Sequence, residues 1–293
     1  MAPRRQYVQP FSPIAVWARR FAFFSIPVAL LAVIVERTGI FEIYPVLATF
    51  GAALVLAGLA VLLGFLALIV IWFTGDGGAG RAVIAILLGL MLLAYPGYLG
   101  AKAYRLPAIY DITTDPYDPP RFEAVARLRG RDANPVSYPG LATFNQQRRT
   151  WPDIEPVDTQ VNALTTYDTA MAIVTKHKWR IVDARPPQQA TRREGRIEAI
   201  AQSPIMGFRD DVVIRVRPTG NASARVDVRS SSRYGFHDFG ANASRVTALI
   251  DEIDDAASPD KIERAARRAA RQAQQKQQQQ QQQKPAANQP AKR

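Results

Sequence analysis

Two short runs hold most of the side chains able to do chemistry. Arg209-Asp-Asp-Val-Val-Ile-Arg215 sets two adjacent acids before a guanidinium, and Arg225-Val-Asp-Val-Arg-Ser-Ser-Ser-Arg233 alternates charge with valine before a serine triplet. Paired carboxylates can share a proton and act as acid and base when they converge on one pocket. Consecutive residues of a strand point to opposite faces, so Asp210 and Asp211 do not converge by themselves, and Glu198 would have to complete a pair. His237, with Ser232 and Asp238 close by, is a general base in type, yet no Gly-x-Ser-x-Gly elbow accompanies it. The chain has 2 histidines, His177 and His237, and 0 cysteines. That excludes a thiolate nucleophile, a disulfide framework and a His/Cys metal cluster, so no metal or cofactor is expected.

The chemistry-bearing residues sit on period-two patterns. Val212, Ile214 and Val216 alternate with Asp211, Val213, Arg215 and Arg217; Val226 and Val228 alternate with Arg225, Asp227 and Arg229. With Thr219-Gly220-Asn221 as a hairpin turn, Arg215 is expected opposite Asp227, Arg229 opposite Val213, and Glu198 within a residue or two of Arg215. Two readings follow. The charged face is solvated and laced by cross-strand ion pairs, or it forms a groove for a polar or anionic ligand together with the Leu106–Trp151 segment. The run Arg229–Asp238 leads into a helix whose free N–H groups could hold an anion beside Arg233, although Asp238 competes for those donors as N-cap.

The elements that must position these residues are legible in outline. Val161, Leu164, Tyr167, Met171 and Val174 recur at helical spacing from about Asp158 to Lys178, where His177 is expected to meet the terminal carbonyls. Strand patterns follow at Trp179–Ala184, Glu194–Gln202, Arg209–Arg217 and Arg225–Ser232, then a helix over about Phe239–Ala256. The expected fold class is α+β, a four-stranded antiparallel sheet covered by two helices on one face. The stretch Leu106–Pro120 is rich in proline and aspartate and reads as extended, and the segment after it as loop through Gly140.

Before this domain lie three apolar blocks, Phe21–Val35, Tyr44–Phe73 and Ala82–Ala103. A bilayer core needs about 20 apolar residues in a helix, which makes the region a three-helix transmembrane anchor. The first block opens after Arg19 and Arg20, and Gly51, Gly58 and Gly64 suit close packing. No ionised residue interrupts a block before Lys102 at the end of the third, against a proton relay, an ion pathway or a transporter. Arg4, Arg5, Arg19 and Arg20, without an acid, keep the N-terminus cytoplasmic, and an odd number of crossings sends the rest outside. The expected organisation is a cytoplasmic N-terminus (1–20), the anchor (21–104), a soluble domain (105–258) and a tail (259–293). The expected address is a bacterial inner membrane with a periplasmic C-terminal domain.

The formal charge of +12 is unevenly spread. Residues 105–258 hold 21 basic against 20 acidic side chains, while the tail holds nine against two. The domain therefore makes no case for nucleic acid. The tail, with its low-complexity run Gln272–Gln283, is too polar to bury a core and would seek membrane lipids, an envelope protein or an anionic polymer.

Several segments carry a resemblance: Ile109-Tyr-Asp-Ile-Thr-Thr-Asp115, Trp151-Pro-Asp-Ile154, Arg196-Ile-Glu-Ala199, Gly207–Arg215, Arg225–Arg233 and Asp238-Phe-Gly-Ala-Asn242. In this order they resemble the bacterial family called domain of unknown function 1499, over about residues 105–256. The resemblance implies no reaction, ligand or catalytic residue. Its recurrent positions, here Asp111, Asp115, Asp153, Glu198, Asp210, Asp211, Arg215, Asp227, Arg229, Ser230, Ser232, Arg233 and Asn242, are unusually polar. The function expected is a non-catalytic, membrane-anchored binding or interaction module. Its candidate ligand contacts are Glu198, Asp211, Arg215, Asp227, Arg229, Ser232, Arg233 and Asn242. The alternative is an envelope hydrolase built on carboxylates such as Glu198, Asp210 and Asp211, acting on a cell-envelope or lipid-derived substrate.

Overall fold

The computed structural model describes residues 10–188 and 191–263, with Arg267, Gln274 and Gln275. Arg4, Arg5 and most of the glutamine-rich tail lie outside the described residues. The chain divides into two compact units. One holds the N-terminal helices through Tyr110 together with Gln202–Asp210 and Ser232–Ala241. The other holds Asp111–Ala201, Asp211–Ser231 and the chain from Asn242 onward.

In the first unit, α1 (Pro13–Thr38), α2 (Ile43–Thr74) and α3 (Ala79–Arg105) are each long and apolar enough to cross a membrane. The first helix starts eight residues before the expected block, with Pro13 at its first turn, where a missing N–H costs nothing. Arg19 and Arg20 lie on its exposed side, and Arg20 sits over the Trp17 ring at 5.0 Å, so cations near a helix end can reach the interface. Between the helices runs a seam of small side chains: Ala15, Ala18 and Ala22 against Ala60, Ala67, Ala82 and Ala85. Of the three glycines expected to pack, only Gly64 does. A Cβ there would lie 2.6 Å from Ile86, whereas Gly51 and Gly58 have nothing within 4 Å. The closest backbone approach is at Gly89, where a Cβ would meet Val61 at 2.6 Å and the Ala57 carbonyl at 2.8 Å.

The second unit is built on one antiparallel sheet. Its strands are β1 (Asp111–Thr113), β2 (Val157–Thr159), β3 (Arg180–Arg185), β4 (Gly195–Gln202), β5 (Arg209–Gly220) and β6 (Ser223–Ser232). The order is β1-β6-β5-β4-β3, with β2 also on β6. Six strands replace the expected four. The two additions are three-residue strands that share the outer edge of β6, β1 on its C-terminal half and β2 on its N-terminal half. The β2 strand occupies residues the helical spacing had assigned to the next helix. The buried amide of Gln147, on α4 (Leu141–Thr150), closes the outer edge of β1. It donates to the Thr113 carbonyl at 2.8 Å and accepts from the Thr113 N–H at 3.2 Å.

Helix α5 (Ala163–Lys176) starts where the Asn162 side chain accepts the Thr165 N–H at 2.9 Å. Its buried stripe runs through Ala163, Thr166, Tyr167, Ala170, Ile173 and Val174, so Leu164 of the expected stripe faces solvent. Helix α6 (Ala241–Ala256) begins two residues later than expected, because Phe239 has φ 55° and cannot enter a right-handed helix. Asp238 caps the turn before it, accepting the Gly240 N–H at 2.8 Å. Tyr167 of α5 packs on Gly195, and Asn242 of α6 bonds Ser230. By strand parity both contacts lie on the face opposite Glu198 and Arg229, so the two helices share one face as expected. At their ends, Lys176 and His177 pair with Glu252 at 2.9 and 2.7 Å. The His177 ring thus meets a carboxylate, while its backbone N–H bonds the Ile173 carbonyl of the last turn at 3.0 Å.

Candidate functional site

The other sheet face is charged but not solvated. Glu198, Asp211 and Asp227 are fully buried, and Arg215 and Arg229 nearly so. What covers them is the segment from Asp115 to Tyr138, expected to be extended as far as Pro120 and loop beyond it. It lays a 3-10 turn, Val125–Leu128, over the sheet and plugs Phe122 and Val125 against Val213 and Ile200. The solvated-face reading is therefore corrected: alternating charge here marks an internal layer of ion pairs.

Each group in that layer has a partner. The Glu198 carboxylate accepts the backbone N–H groups of Glu123, Ala124 and Val125 at 2.9–3.1 Å, fixing the start of the 3-10 turn. Asp211 binds Arg129 Nε at 2.7 Å. Arg215 meets Asp227 at 3.1 Å, as the hairpin alternation implies, and reaches over to Asp118 at 2.9 Å and Asp115 at 3.4 Å. Arg217 adds contacts of 2.8 Å to Asp227 and 3.2 Å to Asp115. Arg229 forms a two-pronged pair with Asp111, Nε to Oδ1 at 2.9 Å and Nη2 to Oδ2 at 2.7 Å, and donates to the carbonyls of Pro120 and Val136. Its guanidinium lies 4.6 Å from the Phe122 ring centre and 5.5 Å from that of Tyr138.

Burial pushes the Asp111 carboxyl up from its ordinary range, and the hydrogen bonds and charge of Arg229 work against that rise. Burial also raises the Tyr138 phenol, helped by the nearby Asp111 charge. At the layer's margin, partial burial works to raise Glu123, but Arg196 and Arg185 outweigh it and hold the carboxyl low.

The candidate residues do not form one site. Glu198, Asp211, Arg215, Asp227 and Arg229 share the covered face. Asn242 lies on the opposite, helix-covered face, where its side-chain oxygen receives the Ser230 hydroxyl at 2.7 Å and Arg245 at 2.6 Å. Ser232 and Arg233 are buried and belong to the unit of the apolar helices. Asp210 is buried as well, on the face away from Asp211.

Among the candidates, Arg229 reaches a cavity. It lines a cleft of about 460 Å3 together with Tyr117, Asp118, Phe122, Val136 and Tyr138, and exposed Arg121 and Ser137 border it. The Tyr138 hydroxyl is buried in the cleft wall with no hydrogen-bond partner among the described residues. A buried, unpaired hydroxyl costs about 1–3 kcal/mol, so such groups are rare without a reason. Sequence reasoning missed Tyr138, Arg121, Arg129 and Asp118, because a segment without periodicity gives no register by which to place them. Among the described residues, no group of three or more His, Cys, Asp or Glu is arranged to hold a metal ion.

No match to the sequence is found among curated proteins. Residues 111–253, all six strands of the sheet with α4, α5 and most of α6, match the family described as "Protein of unknown function (DUF1499)", and over that segment the resemblance carried by the polar motifs is thereby shown.

Proposed function

We propose that this protein is a non-catalytic binding module held on the bacterial inner membrane by three helices, with its N-terminus cytoplasmic and its sheet domain periplasmic. Its ligand is a polar or anionic group that enters the cleft over Arg229, beneath Tyr138 and beside Arg121. The observation carrying this reading is the Tyr138 hydroxyl, without a hydrogen-bond partner among the described residues, in the wall of a cleft that also reaches Arg229, whose charge Asp111 neutralises. A ligand acceptor would meet that hydroxyl after a small ring movement, and Arg121 would supply the charge. The hydrolase alternative gains little support. Glu198 is occupied by three backbone N–H groups and Asp211 by Arg129, so neither is a free acid or base.

The test is capture of the full-length protein from mild detergent, with identification of co-purifying lipids and small molecules. Tyr138→Phe combined with Arg121→Ser removes the two recognising groups and leaves the Arg229–Asp111 pair in place. The reading requires a species bound to the unsubstituted protein to fall at least about tenfold in this variant, with melting temperature preserved. An unchanged set of bound species would refute it.

A further inference from the structure

We propose that the loops Gln202–Asp210 and Ser232–Ala241 are membrane-seated, with Ile205 and Phe236 lying in the headgroup layer of the bilayer that the three helices cross. Both loops belong to the same compact unit as the helices. The first is fixed to the end of α1. Arg37, in its last turn, donates through Nε to the Ile205 carbonyl at 3.1 Å and through Nη2 to that of Pro204. Gly207 lies so close to Arg37 that a Cβ would come within 2.9 Å of its Cγ, and the Arg209 guanidinium fills the space beside Gly39, the α1 cap.

The second loop is fixed just past the end of α3. His237 donates through Nε2 to the Leu106 carbonyl at 3.3 Å while its Nδ1 accepts the Phe239 N–H at 2.9 Å, a pair of bonds that selects one tautomer. Asp238 donates its N–H to the Ile109 carbonyl at 3.1 Å.

Residues tied to the ends of spanning helices sit at the depth of those ends. There, Ile205 is 43% exposed and Phe236 76%, beside Ile40 at 79% and Phe41 at 64% in the α1–α2 connection. These side chains are exposed and apolar at the level of the helix termini, where aromatic residues favour the interface. Arg37, Lys102, Arg105, Arg209 and Arg233 share this end with Glu36, Glu42, Asp210 and Asp238, so the net charge is small and apolar burial carries the contact. The occupant is accordingly phospholipid of any headgroup charge.

The absence of cysteine makes the test clean. Ile205→Cys and Phe236→Cys each allow a single nitroxide label on the full chain in phosphatidylcholine nanodiscs, read by collision with oxygen and with a water-soluble nickel chelate. Tyr117→Cys, at a side chain 84% exposed, is the aqueous reference, and Leu62→Cys on α2 the lipid reference. Nickel collision at 205 and 236 should fall at least about fivefold below that at 117, with oxygen collision raised, and adding phosphatidylglycerol should leave both unchanged. Nickel access equal to that at 117 would overturn the inference. So would labels shielded from both probes, which would mean protein covers the surface. A lipid-like signal at 62 with an aqueous one at 236 would sink the loop contact while leaving the membrane crossing intact.

Discussion

Arg229 uses four of its five N–H donors, two on Asp111 and two on backbone carbonyls, and stacks between two aromatic rings. Such a residue is costly to remove singly. Arg229→Met leaves the Asp111 carboxylate buried without its cation, and losing one partner of a buried pair typically costs about 3–5 kcal/mol. Asp111→Asn added to Arg229→Met should restore most of that, giving a strongly non-additive cycle in melting temperature. The single variant also carries a pH signature. Burial already raises the Asp111 pKa in the folded state; without Arg229 the largest opposing effects are gone, only the Ser231 hydrogen bond and the Arg129 charge still oppose it, and the rise above the unfolded value grows. A raised carboxyl takes up its proton in the folded state first, so folding gains as pH falls. The Arg229→Met deficit should therefore be largest at neutral pH and shrink toward about pH 5, while a deficit that grows with acid would contradict the assignment. Glu198→Gln tests a different role. The side chain keeps its size but loses the charge that holds three N–H groups, and charge-assisted bonds contribute about 1.5–3 kcal/mol each at most. Destabilisation of that order, with faster amide exchange at Glu123–Val125, is the expected result.

At the scale of elements, the clearest prediction concerns two glycines of the helix bundle. Gly89→Leu forces a side chain into the Val61 side chain and the Ala57 carbonyl, so α2 and α3 must separate, and the melting temperature in detergent should drop by several degrees. Gly58→Ala meets nothing within 4 Å and should be neutral or slightly stabilising. Equal effects would mean that the seam is misplaced. The same contrast explains what the sequence could convey. Strands β4 to β6 and helices α5 and α6 were legible because their apolar positions repeat at periods of two or three to four over eight residues or more. The three-residue strands β1 and β2 have no period of their own and exist because β6 offers an edge. Charge alternation on β5 and β6 was legible, but its burial was not, since an ion-paired interior and a wet surface give the same pattern. The part of the layer that the sequence did not point to, Asp118 and Arg129, lies in a segment without periodicity, whose place on the sheet is set by Glu198 and by the charged groups it covers. Helix α4 escaped notice for a related reason: Gln147 is its single buried side chain, so it shows no apolar stripe.

For the whole molecule, the orientation of the three spans decides which compartment any ligand comes from. The segment before α1 and the α2–α3 connection are joined by backbone hydrogen bonds, Ser12 N–H to the Gly77 carbonyl at 3.0 Å and Gly77 N–H to that of Pro10 at 2.8 Å. Arg81 stacks on Phe11 across the same junction. Both therefore lie at one end of the three helices, as a helical hairpin returning to its origin requires. That side holds Arg19, Arg20 and Arg81, with Asp76 as its acid, whereas the other end mixes Arg37, Lys102 and Arg105 with Glu36 and Glu42. The excess of unopposed cations on the first side favours its retention in the cytoplasm. Fusing a reporter after Gly77 should then give fluorescence from a protein that matures only in the cytosol, and no activity from alkaline phosphatase. A fusion after Ser258 should give the reverse. Each span is uncharged through its middle, so inversion would have to come from the flanks alone. Replacing Arg19, Arg20 and Arg81 together by Glu should weaken or reverse the pattern, while the same change at Lys102 and Arg105 should sharpen it. Phosphatase activity at Gly77 in the unsubstituted protein would place the sheet domain in the cytoplasm and remove the periplasmic ligand with it.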